Sequence, residues 1–387
     1  MQKTFLLFLS LLWMMPGMAQ IQTGAEQLNA YLPFLRDKQI ALVVNQTSRV
    51  GERHLVDTLI SQEIRIKALF APEHGIRGDH GAGEKVKSGL DAQTGLPIIS
   101  LYGNHKKPTS DDLKGVELIV FDIQDVGARF YTYISTLHNV MEACAEQNIP
   151  VLVLDRPNPN GHYIDGPMLD TTYRSFVGMH PVPVVHGMTI GEYAMMINGE
   201  GWLKGRIKCE LAVIQLQDYT HQTPYSLPVP PSPNLPNDLS VQLYPSLCFF
   251  EGTNVSVGRG TATPFQIIGS PFLKGDFWDT SFTPLPNPVA APHPPHEGKP
   301  CFGHSFLSMD TLGFRMDSLN IEWLVMAYQS SPNKVTFFND FMRKLAGTEQ
   351  LERQIRYGQS AEVIRESWQE GLAAYRIIRE KYLLYPL

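Results

Sequence analysis

Residues 64–78, Ile-Arg-Ile-Lys-Ala-Leu-Phe-Ala-Pro-Glu-His-Gly-Ile-Arg-Gly, join an apolar run to a polar turn that contains glycine. The run from Ile64 to Phe70 is typical of a buried strand. Glu73, His74 and Arg77 follow it closely. In an open α/β sheet, ligands bind beyond the carboxyl ends of the strands. Glu73 and Arg77 therefore follow the strand at the end where a ligand is expected to bind. The alternative is a surface turn with incidental charges.

Strand-like and helix-like patterns alternate over the first two thirds of the chain. Apolar strand patterns cover residues 40–44, 64–70, 97–102, 116–123, 151–154 and 210–216. Helical spacing of apolar residues covers 54–62, 130–147 and 189–198. Such strands, alternating with helices, indicate a mostly parallel sheet with helices on both faces. The predicted fold class is therefore α/β and Rossmann-like, although no G-x-G-x-x-G or P-loop motif supports nucleotide binding.

Proline-rich segments divide the rest of the chain. Residues 224–236 are stiff by composition, and we place a domain boundary between residues 225 and 226. The prediction is a Rossmann-like catalytic domain over 20–225 and a smaller α+β domain over 226–387 that completes the ligand cleft. In that second domain we expect a short strand at Phe249 and Phe250. A surface loop is expected at 284–300, and helices at 321–329, 335–345 and 361–382.

The first 19 residues have the pattern of a cleavable secretory signal. Lys3 supplies a positive charge, residues 5–15 form an apolar run, and Gly17-Met18-Ala19 provides a cleavage site. The apolar run is too short for a permanent membrane anchor. We expect a periplasmic or secreted protein that is cut near Ala19.

Charge and cysteine usage exclude several kinds of partner. The net charge is -6 and no basic block is present, which argues against a nucleic-acid partner. The cysteines have no metal-ligand spacing, so neither a metal nor another cofactor is predicted. Buried free thiols are expected at all four positions, Cys144, Cys209, Cys248 and Cys301.

Polar residues follow successive strand patterns, and in a parallel sheet they converge on one rim. The rim candidates are Asn45, Glu73, His74, Arg77, Asp122, Asp125, Arg129, Tyr131, Arg156, Asn158, Asn160 and, ahead of the helix at 189–198, His186. Structural roles are the alternative for several of them. Asp122 and Asp125 suit helix caps, and Arg129 and Arg156 suit buried ion pairs.

A second polar cluster lies beyond the proline-rich segment, at residues 251–261. It contains Glu251, Asn254 and Arg259 among several glycines. From the second domain this cluster can reach across to complete a cleft. The alternative is the tip of a β-hairpin.

Eight segments together carry a resemblance to a known family. They are Ala-Pro-Glu-His-Gly-Ile-Arg-Gly (71–78), Ser-Leu-Tyr-Gly (100–103), Asp-Ile-Gln-Asp-Val-Gly-Ala-Arg-Phe-Tyr-Thr-Tyr (122–133), Asp-Arg-Pro-Asn-Pro-Asn-Gly (155–161), His-Gly-Met-Thr-Ile-Gly-Glu (186–192), Pro-Pro-Ser-Pro-Asn-Leu-Pro (230–236), Glu-Gly-Thr-Asn-Val-Ser-Val-Gly-Arg-Gly-Thr (251–261) and Lys-Tyr-Leu-Leu-Tyr-Pro (381–386). In this order they resemble the exo-β-N-acetylmuramidases of glycoside hydrolase family 171.

The resemblance implies a Rossmann-like domain, a smaller C-terminal domain and an active-site cleft between them. It also implies release of N-acetylmuramic acid from the non-reducing ends of peptidoglycan fragments. The glutamate of the family's Pro-Glu-His-Gly motif is the leading catalytic candidate, and in this chain it is Glu73. The alternative function is a non-catalytic periplasmic protein that binds muropeptides or sugars.

Glycoside hydrolysis needs a proton donor for the leaving oxygen and a group that stabilises or traps the anomeric cation. We assign the first role to Glu73, with His74 orienting the acid or the sugar. For the second role, either Asp122 or Asp125 activates water, or the substrate's own acetamido group attacks. The sequence leaves these routes open.

The substrate's polar groups need their own partners. A lactyl carboxylate calls for a cation that can bind it in a bidentate manner. The candidates are Arg77, Arg129, Arg156 and Arg259. Candidates for the sugar hydroxyls and the acetamide are Asn158, Asn160, Asn234 and Asn254.

Overall fold

The computed structural model describes residues 21–73, 75–77, 89–311 and 313–387. The predicted signal at 1–19 and His74 lie outside these ranges, so their roles stay predictions. No helix within the described ranges combines the length and the apolar character needed to cross a membrane.

The strands form one large sheet and two small ones. In chain order they are β1 (Ile40–Val44), β2 (Arg49–Val50), β3 (Arg53–His54), β4 (Ile66–Ala71), β5 (Gly89–Leu90), β6 (Pro97–Ser100), β7 (Leu118–Asp122), β8 (Val151–Leu154), β9 (Leu211–Ile214), β10 (Ile267–Ser270), β11 (Thr280–Phe282) and β12 (Cys301–Ser305). The large sheet has seven strands in the order β5-β6-β4-β1-β7-β8-β9. All of its neighbours are parallel except the edge strand β5, which is antiparallel to β6.

Helices cover both faces of the large sheet. The helices are α1 (Leu28–Leu35), α2 (Leu55–Ser61), α3 (Tyr133–Glu146), α4 (Ile190–Gly199), α5 (Asp238–Leu247), α6 (Glu322–Ser330), α7 (Phe341–Ala346), α8 (Gln350–Arg356), α9 (Ala361–Glu366) and α10 (Gln369–Glu380). Because side chains alternate across a strand, one face of β1 packs with α1 and α2 and the other with α3 and α4. The predicted α/β fold is confirmed.

The C-terminal half contains a small antiparallel sheet in the order β10-β12-β11, surrounded by helices. This confirms a smaller α+β region. One hydrophobic cluster runs from β1 through α3 and α4 into α6, α7 and α10, so both halves share a core. The division between residues 225 and 226 stays a prediction.

Three expectations for this half were wrong. Phe249 and Phe250 lie in a 3-10 turn, Cys248–Gly252, which extends α5 and buries both rings. The helix expected at 335–345 is confined to α7, because the Asn333 side chain accepts the backbone N–H groups of Val335 and Thr336 in a turn.

The helix expected at 361–382 is interrupted at Ser367 and Trp368. The Ser367 hydroxyl donates to the Ile364 carbonyl at 2.6 Å, a local bond that competes with helix continuation. The expectation of free thiols is confirmed, since all four cysteines are buried and unpaired.

Candidate active site

A cavity of about 580 Å³ lies at the rim where the parallel strands end. Its walls come from the turn after β4, the loop after β6, the start of α3 and the C-terminal half. Five residues predicted from sequence line it: Glu73, Tyr131, Asn234, Glu251 and Arg259. The volume is within the range typical of small-ligand sites.

Glu73 stands two residues beyond β4 on the cavity wall. The Tyr102 hydroxyl, which follows β6, donates to Glu73 Oε1 at 3.2 Å. Burial and the charge of Glu73 raise the pKa of Tyr102 to about 12, so this phenol remains a donor at neutral pH. The parallel pairing of β4 with β6 therefore brings the acid and its hydrogen-bond donor together.

Glu251 and Arg259 form an ion pair on the wall supplied by the C-terminal half. Arg259 Nε donates to Glu251 Oε1 at 2.6 Å, and the guanidinium lies 5.2 Å from the centre of the Phe265 ring. Burial opposes the charged guanidinium, but the Glu251 carboxylate outweighs it and holds the pKa of Arg259 above its usual value. The arginine is therefore a fixed cation.

Asn234 lies in a turn of the proline-rich segment, between Ser232 and Leu235. Its Nδ2 donates to the Ala290 carbonyl at 2.6 Å, which ties this segment to the loop of 284–300. The Asn234 Oδ1 atom is buried and has no hydrogen-bond partner among the described residues. The proline-rich segment thus forms part of the cavity wall.

Aromatic side chains supply most of the remaining wall. Phe130 and Tyr131 each contact Tyr244 edge to face, and Tyr133 packs on Tyr131 in the same manner. The Tyr131 hydroxyl donates to the Pro231 carbonyl at 2.7 Å, so it holds the proline-rich segment in place. Apolar ring faces beside polar groups suit the two-sided character of a sugar.

The other three candidate arginines have partners away from the cavity. Arg77 is paired with Asp57 and Asp91. Arg156 donates to both oxygens of Asp122, from Nε at 2.5 Å and from Nη2 at 2.9 Å. Both members of this second pair are buried below the rim.

Arg129 is completely buried, and its side-chain hydrogen bonds to described residues are all with main-chain carbonyls. Nη1 donates to the carbonyls of Pro167 and Val182, and Nη2 to those of Leu345 and Ala346, at 2.7 to 2.9 Å. The last two acceptors belong to α7. The structure therefore places Arg129 as a joint between the two halves.

The remaining candidates do not line the cavity, and all of them except the half-buried Asn254 are buried. Asp125 accepts the Gly127 N–H at 2.7 Å and lies 3.4 Å from His186. Asn45 accepts the Thr47 N–H in the loop after β1. Asn158 donates to the Met188 carbonyl, and Asn160 donates to the Val126 carbonyl in the loop after β7. Asn254 bonds through its main chain to Phe337 and His296, outside the cavity lining.

Several wall residues had no site role assigned from the sequence. They are Tyr102 and Tyr133, which follow strand patterns on the rim, and Lys106, Phe130, Phe176, Tyr244 and Phe265. Tyr102 carried the same signal as Glu73, a polar residue just after a strand, and could have been included. The aromatic residues of the C-terminal half carried no such signal, since their pattern is that of a core. No group of three or more His, Cys, Asp or Glu side chains in the described part is arranged to hold a metal.

Comparison with known proteins gives a consistent result. The family model for the N-terminal part of the exo-β-N-acetylmuramidase NamZ matches residues 40–239, and the model for its C-terminal part matches residues 242–385. The peptidoglycan β-N-acetylmuramidase NamZ of Bacillus subtilis (strain 168) is 39% identical over 383 residues, covering 95% of this chain and 92% of that protein.

Two crystal structures of DUF1343 family proteins from Bacteroides fragilis NCTC 9343 have the same fold. One is 44% identical with a TM-score of 0.88, covering 95% of this chain and 99% of its own. The other is 27% identical with a TM-score of 0.81, covering 94% and 99% respectively. The family models and the Bacillus relative span nearly all of the sequence, and the chain therefore belongs to the exo-β-N-acetylmuramidase NamZ family.

Proposed function

We propose that this chain is an exo-acting β-N-acetylmuramidase, which hydrolyses terminal non-reducing N-acetylmuramic acid from peptidoglycan fragments. The observation that carries the proposal is the position of Glu73, a carboxyl group on the wall of a sugar-sized cavity at the carboxyl ends of parallel strands. The name of the Bacillus relative, a peptidoglycan β-N-acetylmuramidase, supports the same activity.

In this proposal Glu73 transfers its proton to the glycosidic oxygen as the bond to the anomeric carbon breaks. The Tyr102 hydroxyl fixes the orientation of the carboxyl group through its bond to Oε1. The substrate's acetamido group stays an alternative for the second role, whereas Asp122, paired with Arg156, and Asp125 are buried and do not line the cavity. Among the described residues, however, the other carboxylate on the cavity wall is Glu251.

The activity is tested with a disaccharide that carries N-acetylmuramic acid at its non-reducing end. We expect free N-acetylmuramic acid as the product, detected by mass spectrometry. A matched oligosaccharide with N-acetylglucosamine at that end should remain intact. Binding of the first disaccharide without turnover would support the sugar-binding alternative, and cleavage inside the second would contradict exo action.

The first prediction concerns Tyr102, whose hydroxyl donates a hydrogen bond to Glu73. Tyr102→Phe removes the hydroxyl that orients Glu73 and keeps the ring. Because hydrogen bonds to charged groups contribute about 1.5–3 kcal/mol, we expect kcat on the disaccharide with terminal N-acetylmuramic acid to fall roughly tenfold to a hundredfold. Tyr357→Phe, at an exposed tyrosine, is the control. A wild-type kcat for Tyr102→Phe would exclude this positioning role.

The proposed location is the periplasm or the outside of the cell. The support is the charged and apolar pattern of residues 1–19, which is typical of a secretory signal. When the full sequence is expressed in a Gram-negative host, we expect the protein in the periplasmic fraction with a new N-terminus near Gln20. A cytoplasmic product that retains the leader would contradict the proposed export.

A further inference from the structure

We infer that Arg259 recognises the lactyl carboxylate of N-acetylmuramic acid and so distinguishes this sugar from N-acetylglucosamine. The inference rests on the proposed function and names the residue that sets its substrate specificity. Muramic acid differs from glucosamine by a lactyl ether on O3, which ends in a carboxylate. A site that selects muramic acid therefore needs a cation within reach of the sugar.

The partners of the other arginines support this assignment. Arg77 is neutralised by two aspartates and Arg156 by Asp122. Arg129 is enclosed by four main-chain carbonyls. None of the three lines the cavity, whereas Arg259 does.

The orientation of the guanidinium is the second argument. Arg259 bonds to Glu251 through Nε, and its plane is supported by the Phe265 ring. No hydrogen bond to a described residue occupies its Nη1 and Nη2 groups, and the side chain remains 24% exposed. The edge formed by Nη1 and Nη2 is one of the two guanidinium edges that can bind a carboxylate with two parallel hydrogen bonds.

The negative charge of Glu251 weakens the attraction of this wall for an anion. Its contribution is instead to hold the Arg259 side chain in position through the bond to Nε. An arginine already held by a carboxylate and a ring loses less side-chain entropy when it binds a ligand. Among the described residues, Lys106 is the other cation on the wall, and its ammonium lies 4.3 Å from the centre of the Phe176 ring. Lys106 lies in the loop that also carries Tyr102, the hydrogen-bond donor to Glu73. The lactyl group branches from O3 and the scissile bond from C1, so a cation supplied by the half of the protein that does not carry the acid fits better.

The test compares two chromogenic N-acetylmuramides, one with a free lactyl carboxylate and one with its methyl ester. The measured quantity is the ratio of kcat/KM for the acid to kcat/KM for the ester, which does not depend on the fraction of folded enzyme. We expect the wild type to prefer the acid at least about tenfold, and Arg259→Ala to bring the ratio close to one. Arg259→Lys keeps the charge without the fork and should give an intermediate ratio.

Two further variants complete the experiment. Arg343→Ala removes an exposed arginine that pairs with the buried Glu352, outside the cavity lining, and should keep the wild-type ratio. The assignment is overturned if Arg259→Ala keeps the wild-type ratio. It is also overturned if Lys106→Ala, and not Arg259→Ala, brings the ratio close to one. A wild type that hydrolyses acid and ester equally also overturns it, while the muramidase activity itself stands. A wild type that hydrolyses neither substrate contradicts the proposed function instead.

Discussion

Glu73→Gln is expected to lower kcat on a disaccharide with terminal N-acetylmuramic acid by about 10²- to 10⁴-fold, the usual contribution of a general acid. The amide keeps the shape of the carboxyl group and can still accept from Tyr102, so the thermal unfolding midpoint should stay near that of the wild type. Glu322→Gln, at an exposed residue in the first turn of α6, is the matched control for both measurements.

The leaving group shows whether the lost function is proton donation. A sugar leaves as an alkoxide unless it is protonated, whereas 4-nitrophenolate leaves without help from an acid. Glu73→Gln should therefore impair the disaccharide far more than the 4-nitrophenyl substrate. Equal losses on the two substrates would assign Glu73 a different role, such as binding the sugar.

Arg129→Met is expected to lower the free energy of unfolding by about 3–5 kcal/mol, because it leaves buried carbonyls without a donor. The four acceptors span both halves of the protein. We would measure urea denaturation, with Arg343→Met at an exposed arginine as the control. Since Arg129 lies outside the cavity, the folded fraction should keep its KM. Wild-type stability with a raised KM would support the substrate-binding role suggested by the sequence.

The central sheet could be predicted closely from the sequence. The strand bounds at 40–44 and 151–154 agree with β1 and β8 to the residue. Parallel strands covered on both faces are apolar throughout, so their ends are marked by the first polar residues. The same signal located Glu73. The edge strand β5 has two exposed residues and carries no such pattern.

The partners of the arginines could not be predicted. All four looked equivalent beside strand ends or glycines, yet the contacts of Arg77, Arg129 and Arg156 depend on residues in other elements of the chain. The Arg129 acceptors in α7 lie more than 200 positions away. Asp57 and Asp91, which bind Arg77, belong to separate elements. Local pattern therefore indicates that a side chain is near the rim, while tertiary packing decides whether it faces a ligand or a carbonyl.

The Arg129 joint has a consequence for how this protein can change. Its acceptors are main-chain oxygens of Pro167, Val182, Leu345 and Ala346, and every residue type supplies a carbonyl. Substitution at those four positions can alter side chains without removing the bonds, provided that the backbone path is kept. At residue 347 that path needs glycine, because φ is +70° and a Cβ would lie 2.8 Å from Arg129 Nη2. The contact between the two halves therefore tolerates substitution at the four residues that supply carbonyls. It requires a particular residue type at only two positions, Arg129 and Gly347.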